Sequence, residues 1–451
     1  MRYNEIIDYL YGLQKFGTKF GLDNITKLCE ISGNPHKSFL SIHIAGTNGK
    51  GSTSAIIESI LRKAGLSTGL FTSPHLVSFT ERIKVNGVDI SEEDVISLTE
   101  EIKEIASGLK DFYPTFFEVV TAMAFIYFQR KKIDIAVIEV GMGGRLDSTN
   151  IINPEVCIIT PVSFDHKEFL GNTLEEIAFE KAGIIKNNVP VICSHQEPDA
   201  LKIISKKARE MNSTLSNYGK DFSSVLKENK ISGIHFDYKD MDIEISNIFL
   251  PLSGNHQIEN ASVAIKASIE FFKKHSYNKL FSDIENIKES IRNGVSSVKW
   301  HGRLELIHFN PDVLIDGAHN PAAASVLADN LKKVFLKKYK KIIMLLGIMN
   351  DKDIEGIMKP LFSVASDLIL TAPSYNRAAL PSKLLDTAVK FGFKNAYISK
   401  DMDSAIKKAF SLYENNSLIV VTGSFYTIGE TCEIFGTKGV LTKLRECPQK
   451  I

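Results

Sequence analysis

A short stretch near the start of the chain, residues 41–53 (SIHIAGTNGKGST), constrains the fold more than any other feature. Its first residues alternate apolar and polar side chains as in a strand, three glycines and a lysine follow, and a helical pattern comes next. A strand, a Gly-rich turn and a helix in this order direct backbone N–H groups and a helix N-terminus at a phosphate. The pattern predicts a phosphate-binding loop in which Lys50 neutralises charge and Ser52 or Thr53 holds a magnesium ion.

This loop departs from the strict P-loop pattern at two positions. Gly51 separates Lys50 from Ser52, and Ile44 occupies the place of the first glycine. On this stretch alone, an ordinary Gly-rich turn is the alternative interpretation. Motifs elsewhere in the chain must therefore decide between the two.

The composition is that of a globular protein with two or three domains. The chain has 451 residues, of which 44% are hydrophobic and 24% are charged, and its formal net charge is +1. This charge provides no bulk attraction to nucleic acid or to an anionic membrane. The sequence has no apolar run long enough to span a bilayer, and its first residues lack the apolar core of a signal peptide. We therefore expect neither nucleic acid nor a membrane as a partner.

The five cysteines are scattered and form no CxxC pair. This arrangement indicates neither a zinc site nor a disulfide framework. Reduced thiols are typical of the cytoplasm, so we expect a cytoplasmic protein.

Apolar strand patterns alternate with helical patterns along most of the chain. This alternation predicts parallel α/β sheets that are covered on both faces. The predicted strands span residues 133–140, 156–160, 189–193, 313–315, 341–346, 367–370, 396–399 and 417–422.

The region from about 216 to 250 differs, because short alternating runs such as 231–237 and 241–245 predict antiparallel hairpin strands on the flank of the first domain. A segment of mixed character near 294–302 indicates a domain boundary. We predict an N-terminal domain over 1–295, with a P-loop-type, mostly parallel sheet. A smaller, Rossmann-like α/β domain is predicted over 296–451.

Polar residues follow two neighbouring predicted strands. Glu139 lies at the end of the first strand, before the glycines of EVGMGGRLD, and Asp165 and His166 follow the second. Ligands of parallel α/β sheets bind beyond the carboxyl ends of the strands. Glu139 and His166 can therefore ligate magnesium there, with Asp165 fixing the histidine ring. A solvated glutamate in a Gly-rich turn and a structural histidine are the alternatives.

Lys181 has an unusual position in a predicted helix. Thr173 and Glu176 form a capping-box pattern, so the helix begins after Thr173, and its apolar stripe runs from Leu174 to Lys181. A lysine on a buried face is costly unless it is paired or modified. Either its ammonium snorkels at the helix end, or carbamylation converts it into an anionic, metal-binding group.

An ordered series of motifs resembles the folylpolyglutamate synthase and dihydrofolate synthase family of the Mur ligase superfamily. The series is GTNGKGS at 46–52, TSPHL at 72–76, FTERIKVNG at 79–87, FFE at 116–118, EVGMGGRLDSTN at 139–150, DH at 165–166, EKAGI at 180–184, GNHQ at 254–257, GR at 302–303, DGAHNP at 316–321 and TGS at 422–424. This order and spacing are far more specific than any single motif. Met142 and Phe164 depart from the commoner residues, but neither is a proposed ligand.

The resemblance implies ATP and two magnesium ions as cofactors. The residues that match the family's nucleotide site are Asn48, Gly49, Lys50, Gly51, Ser52, Asn260, Arg303 and Asp316. Those that match its catalytic positions are Lys50, Lys181, His166, Asp316 and His319. Ser73, Glu139 and His166 match magnesium ligands, and Lys181 matches a carbamylated lysine that helps to organise the second metal.

The resemblance also implies the substrates and the reaction. Its substrate region comprises Gly21, Leu22, Arg82, Phe116, Phe117, Leu146 and Asp147, with Ser424 where the incoming glutamate binds. The γ-phosphate of ATP passes to a carboxylate, and the amine of L-glutamate attacks the resulting acyl phosphate. We expect dihydropteroate, reduced folates or both as the carboxylate substrates, and a monomeric enzyme.

Two alternatives remain. A peptidoglycan Mur ligase uses the same core chemistry, but only about 40 residues precede the phosphate loop, too few for the UDP-sugar domain of such enzymes. A nucleotide-binding switch without ligase activity does not require Glu139, His166, Lys181 and Asp316 together. Both alternatives are therefore less favoured than a folate ligase.

Overall fold

The computed structural model describes residues 2–16, 21–275 and 283–436. The strands are β1 (Leu40–Ala45), β2 (Thr68–Phe71), β3 (Ile83–Val85), β4 (Val88–Asp89), β5 (Ile135–Glu139), β6 (Val156–Ile159), β7 (Val191–Cys193), β8 (Leu215–Asn217), β9 (Phe222–Lys230), β10 (Gly233–Asp240), β11 (Glu244–Leu250), β12 (Glu305–His308), β13 (Val313–Ile315), β14 (Lys341–Leu346), β15 (Asp367–Leu370), β16 (Ala396–Ile398) and β17 (Ser417–Thr422). The α-helices are α1 (Tyr3–Gly12), α2 (Asp23–Ile31), α3 (Lys50–Lys63), α4 (Glu92–Ser107), α5 (Phe116–Lys131), α6 (Lys167–Leu170), α7 (Leu174–Ala182), α8 (Pro198–Glu210), α9 (His256–Lys274), α10 (Ile284–Ser297), α11 (Pro321–Lys333), α12 (Ile354–Leu361), α13 (Pro381–Lys390), α14 (Met402–Leu412) and α15 (Phe425–Ile434).

The first eight strands form one sheet, here called the N-terminal sheet, in the order β4-β3-β2-β5-β1-β6-β7-β8. Every pair from β2 to β8 in this order is parallel, and only the β2–β3 and β3–β4 pairs at one edge are antiparallel. The strand before the predicted phosphate loop, β1, lies between β5 and β6. The prediction of a mostly parallel sheet is thus confirmed.

Helices cover both faces of this sheet, as near-continuous apolar strands require. On one face α3 packs against α9 and α10, with Ile56, Ile57 and Ile60 fully buried. On the other face α1, α2, α4 and α5 enclose a second apolar cluster. The central strands are therefore buried on both sides, and only their ends are available for a ligand.

The antiparallel flank is present, and its strands lie within the predicted region of about 216–250. It is a three-stranded sheet in the order β11-β10-β9, packed against α9. The strand predicted at 241–245 begins later and extends to Leu250, because the Asp240 carboxylate accepts the N–H groups of Asp242 and Ile243 in a turn. The strand β9 lies in this region but was not singled out as a run, since most of its residues are exposed or only partly buried.

The last six strands form the C-terminal sheet, in the order β12-β13-β17-β14-β15-β16. Only the edge strand β12 is antiparallel to its neighbour. The bounds of β13, β14, β15 and β17 match the predicted strands. Helix α10 ends at Ser297, and the domain boundary at 295/296 stays a prediction.

The described cysteines, Cys29, Cys157, Cys193 and Cys432, are buried free thiols. Cys447 lies outside the described residues. Within the described ranges, every helix is too short or too polar to cross a membrane.

Candidate active site

A cleft of about 1930 Å³ is lined by the loops that follow β1, β2, β5 and β6 of the N-terminal sheet and β13, β14 and β17 of the C-terminal sheet. The predicted site residues that line it are Asn48, Gly49, Lys50, Gly51, Ser52, Ser73, Arg82, Phe116, Phe117, Glu139, Leu146, Asp147, His166, Lys181, Asn260, Arg303, Asp316, His319 and Ser424. Gly21 and Leu22 are not among its lining residues, and Leu22 packs against the apolar cluster of α2 and α5 instead. The structure therefore brings together all of the predicted residues except these two.

The loop after β1 has the geometry of a phosphate-binding loop. Gly49 has a φ of 86°, a conformation that favours glycine, and an added Cβ would also collide with the side chain of Asn260. Lys50 begins α3, so the positive end of a 14-residue helix lies at the cleft. Ser52 lines the cleft and Thr53 does not, which selects Ser52 as the hydroxyl that can reach a phosphate-bound ion.

Hydrogen bonds hold this loop against the segment after β6. The N–H groups of Thr47 and Asn48 donate to the Pro161 carbonyl at 2.9 and 3.3 Å. The Thr47 hydroxyl donates to the Ser163 carbonyl at 3.0 Å. These contacts fix the loop before any ligand binds, which lowers the cost of ordering it around a phosphate.

Lys50 and Glu139 face each other at the end of β1 and β5. The Lys50 Nζ lies 3.9 Å from a Glu139 carboxylate oxygen and donates to the Thr47 carbonyl at 3.3 Å. Glu139 is 4% exposed and accepts the Ser73 N–H at 3.2 Å. Burial raises the pKa of Glu139 to about 6, although Lys50 and the Ser73 N–H act in the opposite direction. The contacts of Glu139 within the protein therefore offset only part of the cost of burying its negative charge.

Lys181 is buried near the C-terminal end of α7. The predicted capping box of Thr173 and Glu176 starts this helix. Lys181 is 4% exposed, and its Nζ donates to the Gly46 carbonyl at 2.8 Å. Burial, together with the charge of Lys50, lowers the pKa of Lys181 to about 7. The side chain is almost wholly buried and its amine is hydrogen-bonded inside the protein, which disfavours an ammonium that snorkels at the helix end.

The structure corrects the predicted role of Asp165. Its carboxylate lies 3.9 Å from the His166 Nε2, too far for a hydrogen bond. The Lys352 Nζ lies 2.6 Å from Asp165, and the His319 Nε2 lies 3.6 Å from it. Burial opposes ionisation of Asp165, but contacts with His319, His166 and Lys352 lower its pKa. The Lys352 ammonium is closer to Asp165 than the His166 ring is. Asp165 therefore forms an ion pair between the N-terminal and C-terminal sides of the cleft and does not orient the His166 ring.

His166 is the residue before the short helix α6 and has a φ of 50°, and its backbone N–H donates to the Asp165 carboxylate at 2.9 Å. Desolvation lowers the pKa of its imidazole to about 4, with further lowering by Lys352 and Lys50. The ring is therefore neutral near pH 7, which is the form that ligates a metal.

The C-terminal domain contributes an acidic and a basic group to the cleft. Asp316, at the end of β13, accepts the N–H groups of Leu304 and Ala318 at 3.1 and 3.0 Å. Burial raises the pKa of Asp316, and Arg303 counteracts the rise. The Arg303 guanidinium lies 4.9 Å from the centre of the Phe425 ring. Asp316 is buried and Arg303 is half-buried, and backbone and ring contacts hold the two side chains in place at the cleft.

Ser424 has a structural contact that the sequence did not indicate. It is the N-cap of α15, where its hydroxyl accepts the Thr427 N–H at 3.1 Å, and it is 2% exposed. The positive end of this helix therefore lies at the wall of the cleft.

Aromatic rings line the part of the cleft near α1 and α5. The Tyr11 and Phe116 rings are stacked, with centroids 5.4 Å apart and planes inclined by 10°. Phe117 packs over Gly141, where an added Cβ would collide with its ring. The Asp147 carboxylate accepts the N–H groups of Met142 and Thr149 at 2.9 and 3.0 Å. These rings give this wall of the cleft a flat apolar surface.

Sequence reasoning missed three groups in the cleft. Lys352 follows β14, and its position after a predicted strand was a signal that could have identified it. Tyr375 and Tyr426 are stacked with ring centroids 4.0 Å apart, and no local pattern brings them together. Arg377, which lines the same wall, pairs with Asp351 at 2.8 Å.

The donor chemistry at the end of β5 fits magnesium. Glu139 is a buried carboxylate whose nearest cation is 3.9 Å away. Ser73, whose backbone N–H donates to Glu139, lines the same part of the cleft and carries a hydroxyl. Magnesium prefers such oxygen ligands and retains waters and phosphate oxygens as its other ligands. Across the described ranges no three His, Cys, Asp or Glu side chains form a metal cluster, so a site here depends on oxygens from the nucleotide as well.

Two domain families match the chain. Residues 44–268 match the Mur ligase middle domain, and residues 302–425 match the Mur ligase glutamate ligase domain.

Relatives match over nearly the whole length. The dihydrofolate synthase/folylpolyglutamate synthase of Bacillus subtilis is 36% identical over 433 residues, which cover 95% of this chain and 98% of that protein. A structure of Mycobacterium tuberculosis folylpolyglutamate synthase complexed with ADP is 32% identical, has a TM-score of 0.89, and is matched over 97% of this chain and all of that one. The crystal structure of Thermotoga maritima folylpolyglutamate synthase is 36% identical, with a TM-score of 0.81 and coverage of 98% and 99%.

Proposed function

The chain belongs to the dihydrofolate synthase/folylpolyglutamate synthase family of Mur ligases, and from this premise we propose how its cleft works. It is an ATP-dependent ligase that joins L-glutamate to the carboxylate of dihydropteroate, of reduced folates or of both. The relatives span nearly the full length of the chain, which favours folate substrates over a peptidoglycan precursor.

A carboxylate is a poor electrophile, and phosphorylation by ATP supplies a good leaving group. The phosphate loop holds the phosphates with the N-terminus of α3, and Lys50 neutralises their charge. Arg303 and Asp316 contact the nucleotide from the C-terminal sheet, and Asn260 contacts it from α9. The amine of glutamate then attacks the acyl phosphate, the new C–N bond forms and phosphate leaves. His319, at the cleft beside Asp165, completes the catalytic set.

We assign magnesium to two sites. Ser73, Glu139 and His166 would be the magnesium ligands, and a modified Lys181 would help to organise the second ion. Bound magnesium would neutralise charge on the transferring phosphoryl group. The partly compensated Glu139 carboxylate and the neutral His166 ring support these assignments.

Carbamylation of Lys181 follows from its surroundings. An ammonium ion there is desolvated and faces Lys50, so the neutral amine is populated near pH 7. That amine reacts with carbon dioxide to form an N–C bond with loss of a proton, which leaves an anionic oxygen ligand. The Gly46 carbonyl accepts a hydrogen bond from Nζ, and the single N–H of the carbamate can keep this contact.

We further propose that one site uses both dihydropteroate and reduced folates, and that the enzyme acts as a monomer in the cytoplasm. A single chain supplies both walls of the cleft, which supports the monomer. The scattered free cysteines support a reducing compartment.

The observation that carries this function is the convergence of the phosphate loop, Glu139 and Lys181 from one sheet with Arg303 and Asp316 from the other. The test is phosphate release from ATP with glutamate and each pteroate substrate, in complete mixtures and in mixtures that lack one component. Phosphate release that depends on both organic substrates supports a ligase. Release that needs neither substrate supports the nucleotide-binding switch.

A further inference from the structure

Arg82 is a buried cation in the cleft without an acidic partner. It is 7% exposed and lines the cleft next to Phe116, with its guanidinium carbon 5.3 Å from the centre of that ring. Among the residues that the structure describes, no carboxylate oxygen lies within 4.0 Å of its nitrogens. A buried and unpaired guanidinium is costly, so a ligand anion is the natural partner.

The acidic groups nearest to Arg82 are already engaged. The Glu81 carboxylate accepts the N–H groups of Leu76, Val77 and Ser78 at 2.6–2.8 Å. Glu139 accepts the Ser73 N–H and faces Lys50. Neither can turn to Arg82 without losing those contacts, so the guanidinium charge remains directed to the cleft.

A hydrogen-bonded chain holds the Arg82 side chain in place. Its Nε–H donates to the His75 Nδ1 at 2.8 Å. Because Nδ1 accepts, the imidazole proton lies on Nε2 and donates to the Tyr11 hydroxyl at 3.2 Å. The Nε–H is thus used by the protein, and the two terminal nitrogens of Arg82 are left for a bidentate contact with a carboxylate.

This cation lies on the acceptor side of the reaction centre. Its partner His75 is two residues after Ser73, a distance of at most about 7 Å along the chain, and the Ser73 N–H donates to Glu139. Arg82 also packs on Phe116, in the aromatic wall of the cleft. If a substrate lies on this wall with its reacting carboxylate near Glu139, the part of the substrate between the two lies beside Arg82.

The two acceptor classes differ in charge at this position. Dihydropteroate has one carboxylate, the one that reacts. A folate has a glutamyl terminus with two carboxylates, of which the γ-carboxylate reacts and the α-carboxylate is a bystander. Resting on the proposed function, we propose that Arg82 binds the α-carboxylate of the folate's glutamyl terminus and thereby directs the γ-carboxylate to phosphorylation.

The test compares tetrahydrofolate with the analogue in which γ-aminobutyrate replaces its glutamate. The analogue keeps the reacting carboxylate at the same spacing and lacks only the α-carboxylate. We expect the wild-type enzyme to prefer tetrahydrofolate by about tenfold or more in kcat/KM. Arg82→Gln should abolish this preference. Arg82→Lys should retain part of it, because a lysine keeps the positive charge but cannot make the bidentate contact of a guanidinium.

Arg377→Gln is the matched control. Arg377 also lines the cleft, but it is paired with Asp351, so its loss should leave the preference for tetrahydrofolate in place. A wild-type enzyme that does not distinguish the two acceptors overturns the proposal, whether or not the Arg82 variants fold. An Arg82→Gln enzyme that keeps the preference, or that shows only a higher KM for glutamate, overturns it as well. Failure of the wild-type enzyme to ligate any acceptor would instead refute the proposed function.

Discussion

Asn48 and Asn320 exchange two side-chain hydrogen bonds across the cleft. The Asn320 Nδ2 donates to the Asn48 Oδ1 at 2.9 Å, and the Asn48 Nδ2 donates to the Asn320 Oδ1 at 3.4 Å. Asn48 belongs to the phosphate loop, and Asn320 is the N-cap of α11 after the C-terminal strand β13. Together with the Asp165–Lys352 pair, this contact couples the position of the C-terminal sheet to the nucleotide loop.

The first prediction concerns closure of the two domains around ATP. Asn320→Ser keeps a good N-cap but is too short to reach Asn48, so we expect the KM for ATP to rise about threefold to tenfold with little change in thermal stability. Asn320→Ala, which removes the cap as well, should also lose about 1 kcal/mol of stability. Small-angle scattering should show that the wild-type enzyme is more compact with an ATP analogue than without it. An unchanged KM in both variants would show that the contact does not serve nucleotide binding.

Lys50→Ala should lower kcat by about a hundredfold or more, because one preorganised charge at the phosphates is lost. The fold should remain intact, since the Lys50 ammonium lies at the cleft and not in the apolar core. Lys63→Ala, at the exposed last turn of the same helix, is the control and should retain activity. Near-normal turnover of Lys50→Ala would refute the phosphate-loop assignment.

Glu139→Gln should inactivate the enzyme and yet stabilise its fold. The pKa of Glu139 rises from 4.5 to about 6 on folding, so the folded state disfavours the ionised carboxylate by about 2 kcal/mol. In the wild type, the protonated Glu139 therefore contributes to the free energy of unfolding below pH 4.5, and this contribution is lost as the pH rises through 6. Chemical denaturation should therefore show the variant to be more stable above pH 6, with the difference vanishing below 4.5. Glu58→Gln, equally buried but hydrogen-bonded to Arg62 and Thr68, should instead destabilise the protein.

Labelling with ¹³C-bicarbonate tests the carbamate on Lys181. The neutral amine becomes the main form as the pH rises through about 7, so labelling and activity in bicarbonate should both increase on the alkaline side. A carbamate resonance should be absent from Lys181→Ala, whose activity short carboxylic acids should partly restore. Lys266 is similarly buried but is paired with Asp240 and Glu270, which keep it protonated, so it should not be labelled. An active wild-type enzyme without any labelled lysine would rule out the modification.

Local chemistry explains which parts of this protein were predictable. The capping box at Thr173, the proline that begins α11 and the buried strands β14, β15 and β17 depend on residues close in sequence. For the same reason Glu139 and His166 could be placed at strand ends.

Contacts between distant segments were not predictable. Asp165 and Lys352 are 187 residues apart, and their pairing depends on how the two sheets face each other. The partners of Arg82 depend on the turn that brings His75 back to it and on the position of α1. The bounds of β9 were not predicted within the antiparallel region, because its burial pattern is weak and its pairing with β10 defines it.

Product analysis by mass spectrometry tests the central claim most directly. The purified enzyme is incubated with ATP, L-glutamate and either dihydropteroate or tetrahydrofolate, and released phosphate is measured in the same samples. The account predicts that each acceptor gains the mass of a glutamyl residue, with one phosphate released per bond formed, and that no product forms when ATP or glutamate is omitted. Phosphate release without a new glutamyl product from either acceptor would contradict it.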